Sequence, residues 1–350
     1  MIFQIEGVAM RKMILVVSVW LLLGVTAGGA PVWASGGGLL DLIDALGSSG
    51  SSQEAKHKVS YVEGNKEAED EILLIKIRGI IKEAEDGDSM PFEIKKNMME
   101  SVKKDLEVAR DRKNVKAVLL EIDSPGGEVT ASDILHHQLS KVKTVKKPMV
   151  ALIGTLGTSG AYYIACAADQ IWAHPTSILG SIGVLMQGMN IQKLADLIGL
   201  KDVTIKSSKT PRKDIMSPFR EMTPEEKAML LSLIDSMYDR FVKIVADGRK
   251  KKVEEIEPLA DGSLYTSDQA LKNGLIDGVG YREDVINQIK TLANLKEAKL
   301  VRRRTKKGLS EFFADLAEMH SGVPAFLSGV QNMIELEGTP TLLYQTKPLK

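Results

Sequence analysis

A serine hydroxyl becomes a useful nucleophile when a turn exposes it, an N–H group waits beside it for the oxyanion, and a base takes its proton. The stretch Gly154-Thr155-Leu156-Gly157-Thr158-Ser159-Gly160-Ala161-Tyr162-Tyr163 offers the first two of these. Its pattern predicts a strand that runs into a helix at Ser159. Small residues there let another chain approach, the positive end of the helix favours negative charge, and the Gly160 N–H lies next to the hydroxyl. Read by itself, the serine could equally be an ordinary helix cap. A second glycine turn, Asp123-Ser124-Pro125-Gly126-Gly127, follows a strand expected at residues 117–122. Its N–H groups have no Cβ in the way and can also receive an oxyanion, although a plain strand-to-helix turn would look the same. Neither turn has the GxxxxGK[ST] or GxGxxG spacing of a phosphate cradle.

The proton acceptor is harder to place. His57, His136, His137, His174 and His320 are the histidines of the chain. His57 and His320 fall in outlying segments, His136 and His137 are adjacent on one helix, and His174 follows the strand after the serine helix. An ammonium stripped of water in an apolar pocket loses its proton and can serve instead, so lysines compete. Lys206, Lys209 and Lys213 lie together in one polar stretch. Residue physics leaves the choice among these three open, and a solvated basic loop is the plain alternative for all of them.

The elements that must carry these turns alternate. Residues 72–77 read as a strand, and the four-residue spacing of Ile94, Met98, Val102 and Leu106 predicts a helix. Strands are expected at 115–122, 148–153, 170–173 and 203–205, with helices at 131–142 and 159–168. This order implies an α/β fold with a largely parallel sheet covered by helices. Thr223-Pro224-Glu225-Glu226 is a capping-box start for a long helix, whose buried face is expected to hold Leu230, Leu233, Ile234, Met237, Phe241 and Val245. The run Lys299–Lys307 is basic, read as an edge strand protected by charge or as a patch facing anionic lipid.

Ahead of all this, Arg11 and Lys12 precede an uncharged apolar run from Met13 to about Ala34. That run is long enough to cross a bilayer, and the basic flank would place everything after it outside the cytoplasm. Ala27-Gly28-Gly29-Ala30-Pro31 would weaken a helix, and Val32-Trp33-Ala34 before Ser35 suits a signal-peptidase cut, so residues 1–34 are either an anchor or a cleaved signal. The expected organisation is therefore 1–34 targeting segment, 35–68 flexible tether, 69–295 catalytic domain, and 296–350 basic strand, helix and tail.

Composition narrows the function. The chain has 350 residues, with 46 basic and 46 acidic side chains, and this balance gives no field to draw in nucleic acid. One cysteine excludes an internal disulfide or a thiolate zinc cluster. No metal or cofactor is called for.

Five segments in order, IDSPGGEVTAS (Ile122–Ser132), GTSGAYYIACAAD (Gly157–Asp169), GSIGV (Gly180–Val184), KDIMSPFREMT (Lys213–Thr223) and ADGSLYTSDQALKNGLIDGVG (Ala260–Gly280), closely resemble the signal peptide peptidase SppA, or protease IV, family over roughly residues 70–295. The resemblance implies a ClpP/crotonase-like fold and a Ser-Lys dyad. Carried over by position, Ser159 is the nucleophile, Lys213 the base, and the N–H groups of Gly127 and Gly160 the oxyanion donors. It further implies peptide substrates, remnant signal peptides among them, a membrane-associated location, and a homo-oligomer. Shorter members, with one copy of each motif, resemble octameric rings whose neighbours share each site. Two departures stand out: Ser263 and Ser267 occupy positions where Arg and Gly are expected. The segment Ser177–Gly183 also lacks the histidine a ClpP-type enzyme carries there. The alternatives are a Ser-His-Asp peptidase, a crotonase-fold acyl-CoA enzyme and an inactive membrane scaffold.

Overall fold

The computed structural model describes residues 58–83 and 98–304. In chain order these form β1 (Val59–Gly64), β2 (Glu71–Arg78), α1 (Met98–Asp111), β3 (Val115–Ser124), α2 (Val129–Ser140), β4 (Met149–Thr158), α3 (Gly160–Ala165), β5 (Gln170–Ala173) and β6 (Ile178–Gly180). Then come α4 (Gln192–Leu197), α5 (Pro224–Arg249), α6 (Val253–Ile256), β7 (Leu264–Thr266), α7 (Ser267–Lys272), β8 (Gly278–Val279), α8 (Arg282–Leu292) and β9 (Lys299–Arg303). The sheet runs β1-β9-β2-β3-β4-β5-β8, while β6 joins the far end of β4 and pairs with β7. All pairings in the main path are parallel except β1 with β9. The expected α/β architecture is what the chain adopts.

Both faces of the sheet are covered, which is why its central strands are apolar without interruption. Leu73, Ile75 and Ile77 of β2, with Val118, Leu120, Ala151 and Ile153, point into the larger core against α1, α2, α3 and the end of α5. Their alternate neighbours Ile72, Leu74, Leu119 and Val150 pack beneath Val285 and Ile289 of α8. The period-2 alternation of a strand thus feeds two cores at once. The sheet's carboxyl edge, where β3 and β4 end, carries both glycine turns.

Several expectations need correcting. The stretch read as a tether to residue 68 contributes a strand, because Val59–Gly64 pairs with a partner more than two hundred residues downstream that no local pattern announces. Lys299–Arg303 is neither an edge nor outside the catalytic domain, since it lies between β1 and β2. Leu300 and Val301 are buried there, and Arg303 is spent on Asp105, Nε to Oδ1 2.5 Å. Residues 203–205 form no strand. Val203 and Ile205 are 81% and 93% exposed, so the apolar run finds no sheet to join. The Thr223 capping box on α5 is present, yet only Phe241, Val242, Val245 and Ala246 near its end enter the core. Leu233 and Met237 stay 49% and 41% exposed. The targeting segment, the start of the helix expected from Ile94, and the tail after Arg304 lie outside the described residues.

Candidate active site

Ser159 sits at the corner between β4 and α3. Its backbone has φ 54° and ψ −126°, a conformation costing a side-chain-bearing residue about 1–3 kcal/mol, here held by the elements on both sides. The Ser159 N–H donates to the Gly180 carbonyl at 2.8 Å, and its own carbonyl accepts from Tyr163 N–H at 3.0 Å. These bonds fix the backbone and leave the hydroxyl half-exposed, with no cap bond to make. The helix-cap alternative is therefore not what the geometry realises. Ser181, at the end of β6, is a second side-chain-bearing residue with positive φ, 50°, and its N–H is tied to the Ser263 carbonyl at 2.7 Å. Backbone strain thus gathers on two serines flanking one hydrogen bond. Nothing in the residue types of GSIGV announces the strain at Ser181, which the structure adds to that at Ser159.

The Asp123–Gly127 turn folds against this corner. Ile81 N–H donates to the Gly126 carbonyl at 2.8 Å, and Glu128 N–H donates to the Ile81 carbonyl at 2.8 Å. This bridge passes over Gly127, whose N–H has no acceptor among the described residues. The Gly160 N–H, first in its helix, has none either, as the geometry of a helix start dictates. Glycine is required at both places by crowding. A Cβ on Gly127 would overlap the Ile81 carbonyl, and one on Gly160 would collide with the Ser132 hydroxyl while standing 3.3 Å from Gly127 N. The sequence-predicted oxyanion donors are thus next to each other and next to Ser159.

Lys213 is brought to that corner by no bond among the described residues. It lies in the exposed stretch between α4 and α5, and its ammonium has no hydrogen-bond or ion-pair partner among the described residues. The loop around it is nevertheless built. Asp214 accepts Lys206 Nζ at 2.5 Å and Arg220 at 3.0 Å, and Arg220 reaches Glu226 at 2.7 Å in the capping box of α5. Bonds from Arg220 and Lys206 hold the Asp214 carboxyl well below the usual carboxylate range, and Arg220 brings Glu226 down to about 2. Of the three lysines left open above, Lys206 is committed to this clamp. Lys209 and Lys213 remain uncommitted.

The histidines are engaged elsewhere. His174 Nδ1 is 3.0 Å from Thr176 Oγ1, and its ring meets Tyr281 edge-on at 4.8 Å. With Arg78 and Arg282 it lines a cavity of about 290 Å³ at the β3 and β4 ends. Burial pushes His136 down to about 4, so at neutral pH it is an uncharged ring packed on Tyr163. His137 is exposed on the same helix, and His57 and His320 lie outside the described residues. The Cys166 thiol is buried, which raises it to about 12 and removes it as a nucleophile. Among the described residues no cluster of three or more His, Cys, Asp or Glu side chains is placed to hold a metal ion.

The departures at Ser263 and Ser267 fit without strain. Ser267 Oγ is fully buried and donates to the His174 carbonyl at 2.6 Å, tying α7 to the loop after β5. Ser263 stays exposed beside Ser181.

A half-exposed serine on a strained strand-to-helix corner, close to two N–H groups with no acceptor among the described residues, is equipped for acyl transfer, the chemistry of serine hydrolases. Comparison with known proteins makes this specific. The model of peptidase family S49 matches residues 141–296, and that of Clp protease matches residues 89–179. A putative signal peptide peptidase SppA of Enterococcus faecium is 34% identical over 66% of this chain and 66% of its own length. A putative protease of Synechocystis is 40% identical over 54% of this chain and 68% of its own. A chloroplastic serine protease, SPPA, of Arabidopsis thaliana is 30% identical over 76% of this chain and 38% of its own. The chain belongs to peptidase family S49, serine endopeptidases on a ClpP-like fold. It spans about two thirds of the first two of these relatives and well under half of the third.

Proposed function

We propose that this protein is a membrane-associated serine endopeptidase that cleaves remnant signal peptides and other apolar unfolded segments through a Ser159–Lys213 dyad. The observation that carries the reading is the Ser159 corner, with its unengaged hydroxyl beside the unpaired N–H groups of Gly127 and Gly160. In the proposed reaction Ser159 Oγ attacks the scissile carbonyl carbon and its proton passes to the neutral amine of Lys213. The carbonyl oxygen, now an anion, receives the Gly127 and Gly160 N–H groups. Collapse breaks the C–N bond, and the leaving amine takes the proton back from Lys213. Water then releases the acyl group by the same steps, with Lys213 again the base. The name of the Enterococcus faecium relative supports signal peptides as a substrate class. An apolar segment at Met13–Ala34, acting as an anchor or as a cleaved signal, would deliver the catalytic domain beyond the cytoplasm.

The protomer also supports a shared site. Among the described residues Lys213 has no bond to the Ser159 corner, and the segment between β6 and α5 that carries it leaves large apolar side chains in water. Leu185, Leu197, Val203 and Ile205 are between 80% and 93% exposed. Covering this arm with another subunit would bury the apolar surface and desolvate a lysine, giving a ring in which one subunit supplies Ser159 and its neighbour Lys213. The test is to mix inactive Ser159→Ala and Lys213→Ala subunits. Activity returning upon co-assembly supports shared sites, and none returning in verified mixed rings rejects them. Covalent labelling of Ser159 by a fluorophosphonate probe, lost in Lys213→Ala, tests the dyad itself. Labelling unaffected by that substitution removes Lys213 from the mechanism.

A further inference from the structure

The helix that follows Ser159 has only six residues, starts at a strained residue and has no side-chain cap. So short a helix does not hold itself, and its position must come from outside contacts. Its third and fourth residues supply two. Tyr162 is fully buried and its hydroxyl donates to the Leu275 carbonyl at 2.6 Å. Tyr163, whose N–H closes the first helical turn on the Ser159 carbonyl, sends its hydroxyl to Asp133 Oδ1 on α2 at 2.5 Å. That same oxygen accepts Arg240 Nε at 2.9 Å and Nη2 at 2.6 Å from α5. The Tyr163 ring lies between His136 and Phe241, at 5.3 and 5.0 Å between centroids. One carboxylate oxygen therefore joins three helices around the turn that carries Ser159. The bonds from Tyr163 and Arg240 outweigh burial and keep Asp133 ionised, so it stays an acceptor for both.

Building on the reading of Ser159 as the nucleophile, we infer that Asp133 is a positioning residue. Through Tyr163 it sets the orientation of the α3 start, hence of Ser159 Oγ and the Gly160 N–H, and through Arg240 it ties that orientation to α5. The same helix carries, at its other end, the Glu226–Arg220–Asp214 clamp beside Lys213. One rigid element thus contacts both halves of the proposed dyad's support. None of Asp133, Tyr163 and Arg240 needs to touch substrate for this.

The experiment measures three quantities on the full chain: the rate of Ser159 labelling by a fluorophosphonate, the split of kcat and KM on a short peptide ester, and the melting temperature. Tyr163→Phe keeps the ring and deletes the bond. It should slow labelling and kcat together by about tenfold, less than the ~10²-fold cost of a full 1 Å misplacement, while KM and melting temperature stay near wild type. Asp133→Leu, which removes the acceptor outright, should slow both at least as much because it also releases Arg240, and adding Tyr163→Phe to it should cost little more, since the Tyr163–Asp133 bond is already gone. Arg240→Lys, on an exposed side chain that tolerates change, should retain part of the rate that Arg240→Ala loses. Labelling within about twofold of wild type in both Tyr163→Phe and Asp133→Leu overturns the inference, as does a rate loss that only follows a fall in melting temperature. Absence of labelling at Ser159 in the wild-type protein would instead overturn the proposed function, so the two failures are told apart.

Discussion

The corner around Ser159 and the arm around Lys213 are built by opposite means. At the corner almost every side chain is buried or bonded within the chain: Tyr162 reaches Leu275, Tyr163 reaches Asp133, and Gly160 is pressed against Ser132. Among the described residues between β6 and α5 the densest bonding is the ionic clamp of Lys206, Asp214, Arg220 and Glu226, while Leu185, Leu197, Val203 and Ile205 face water. The corner is finished by this chain's own sheet. The arm has polar scaffolding on one side and an uncovered apolar surface on the other, the pattern of a part that another molecule completes.

The sharpest way to break that contrast is at the two proposed reacting groups. Ser159→Ala removes a hydroxyl that makes no bond in the fold, so peptide hydrolysis should fall to background with an unchanged melting curve. Lys213→Ala should do the same, since its ammonium is equally unpartnered and members of a catalytic pair act as a unit. Peptide turnover measured beside thermal melts checks both. An active Ser159→Ala protein would show that the corner is not the catalytic centre.

The next effect separates the two regions by assembly. Leu197→Asp with Ile205→Asp places charge on the bare face of the arm, at residues 83% and 93% exposed in the protomer. The fold should survive, because these side chains leave no cavity behind. Subunit association and peptide hydrolysis should be lost together, as read by analytical ultracentrifugation and a peptide assay. Full activity in a monomer would mean that Lys213 reaches Ser159 within one chain.

A smaller loss is expected from changing a proposed oxyanion donor without touching Ser159. In Gly160→Ala the added methyl meets the Ser132 side chain, and the N–H is displaced rather than deleted. Removal of one such donor typically costs ~10²–10³ in kcat, which sets an upper range for the displacement. KM should change little. The second variant Ser132→Ala/Gly160→Ala makes room for the methyl and should recover part of kcat. If instead the double variant is no better, the crowding at Ser132 is not what positions the N–H.

The sequence made the corner legible and the arm obscure, and the reason is range. A strand-to-helix switch, two glycine turns and a capping box are written in neighbouring residues, so the turns that hold Ser159, Gly127 and Gly160 and the Thr223 start of α5 could be placed locally, while the roles proposed for those residues came from the family resemblance. Strand β1 could not, because Val59–Gly64 reads as polar chain until β9 arrives beside it. The apolar residues at 203–205 and along the first half of α5 misled for a related reason. Periodicity reports that a face will be covered and does not say by which chain. Residue types alone left three lysines open, and only the clamp at Asp214 sets Lys206 apart from the others. The strain at Ser159 and Ser181 is a backbone property that no side-chain pattern contains.

The smallest predicted effect uses pH to separate the corner from the arm. His136 packs against Tyr163 of α3, facing Asp133, Lys143, Arg240 and His137, and burial lowers it from 6.5 to about 4. Between those values the unfolded chain binds a proton that the folded chain refuses, so stability must fall as pH drops from 6.5 through about 4 and level off below. Asp133 is held below its ordinary 3.8, so it remains ionised through that interval and adds nothing to the slope. In the arm the sign is the same but the interval is lower. Glu226 goes from 4.5 to about 2, so its contribution is complete above 4.5 and is lost as pH falls through about 2. Urea midpoints followed by circular dichroism from pH 7.5 to 2 should therefore show two descents. His136→Phe, which keeps a ring against Tyr163, should erase the upper one and leave the lower. Glu226→Gln should weaken the lower one and leave the upper. Parallel curves for wild type and His136→Phe between pH 6.5 and 4 would mean that the imidazole is hydrated in solution and that the corner is less dry than its packing implies.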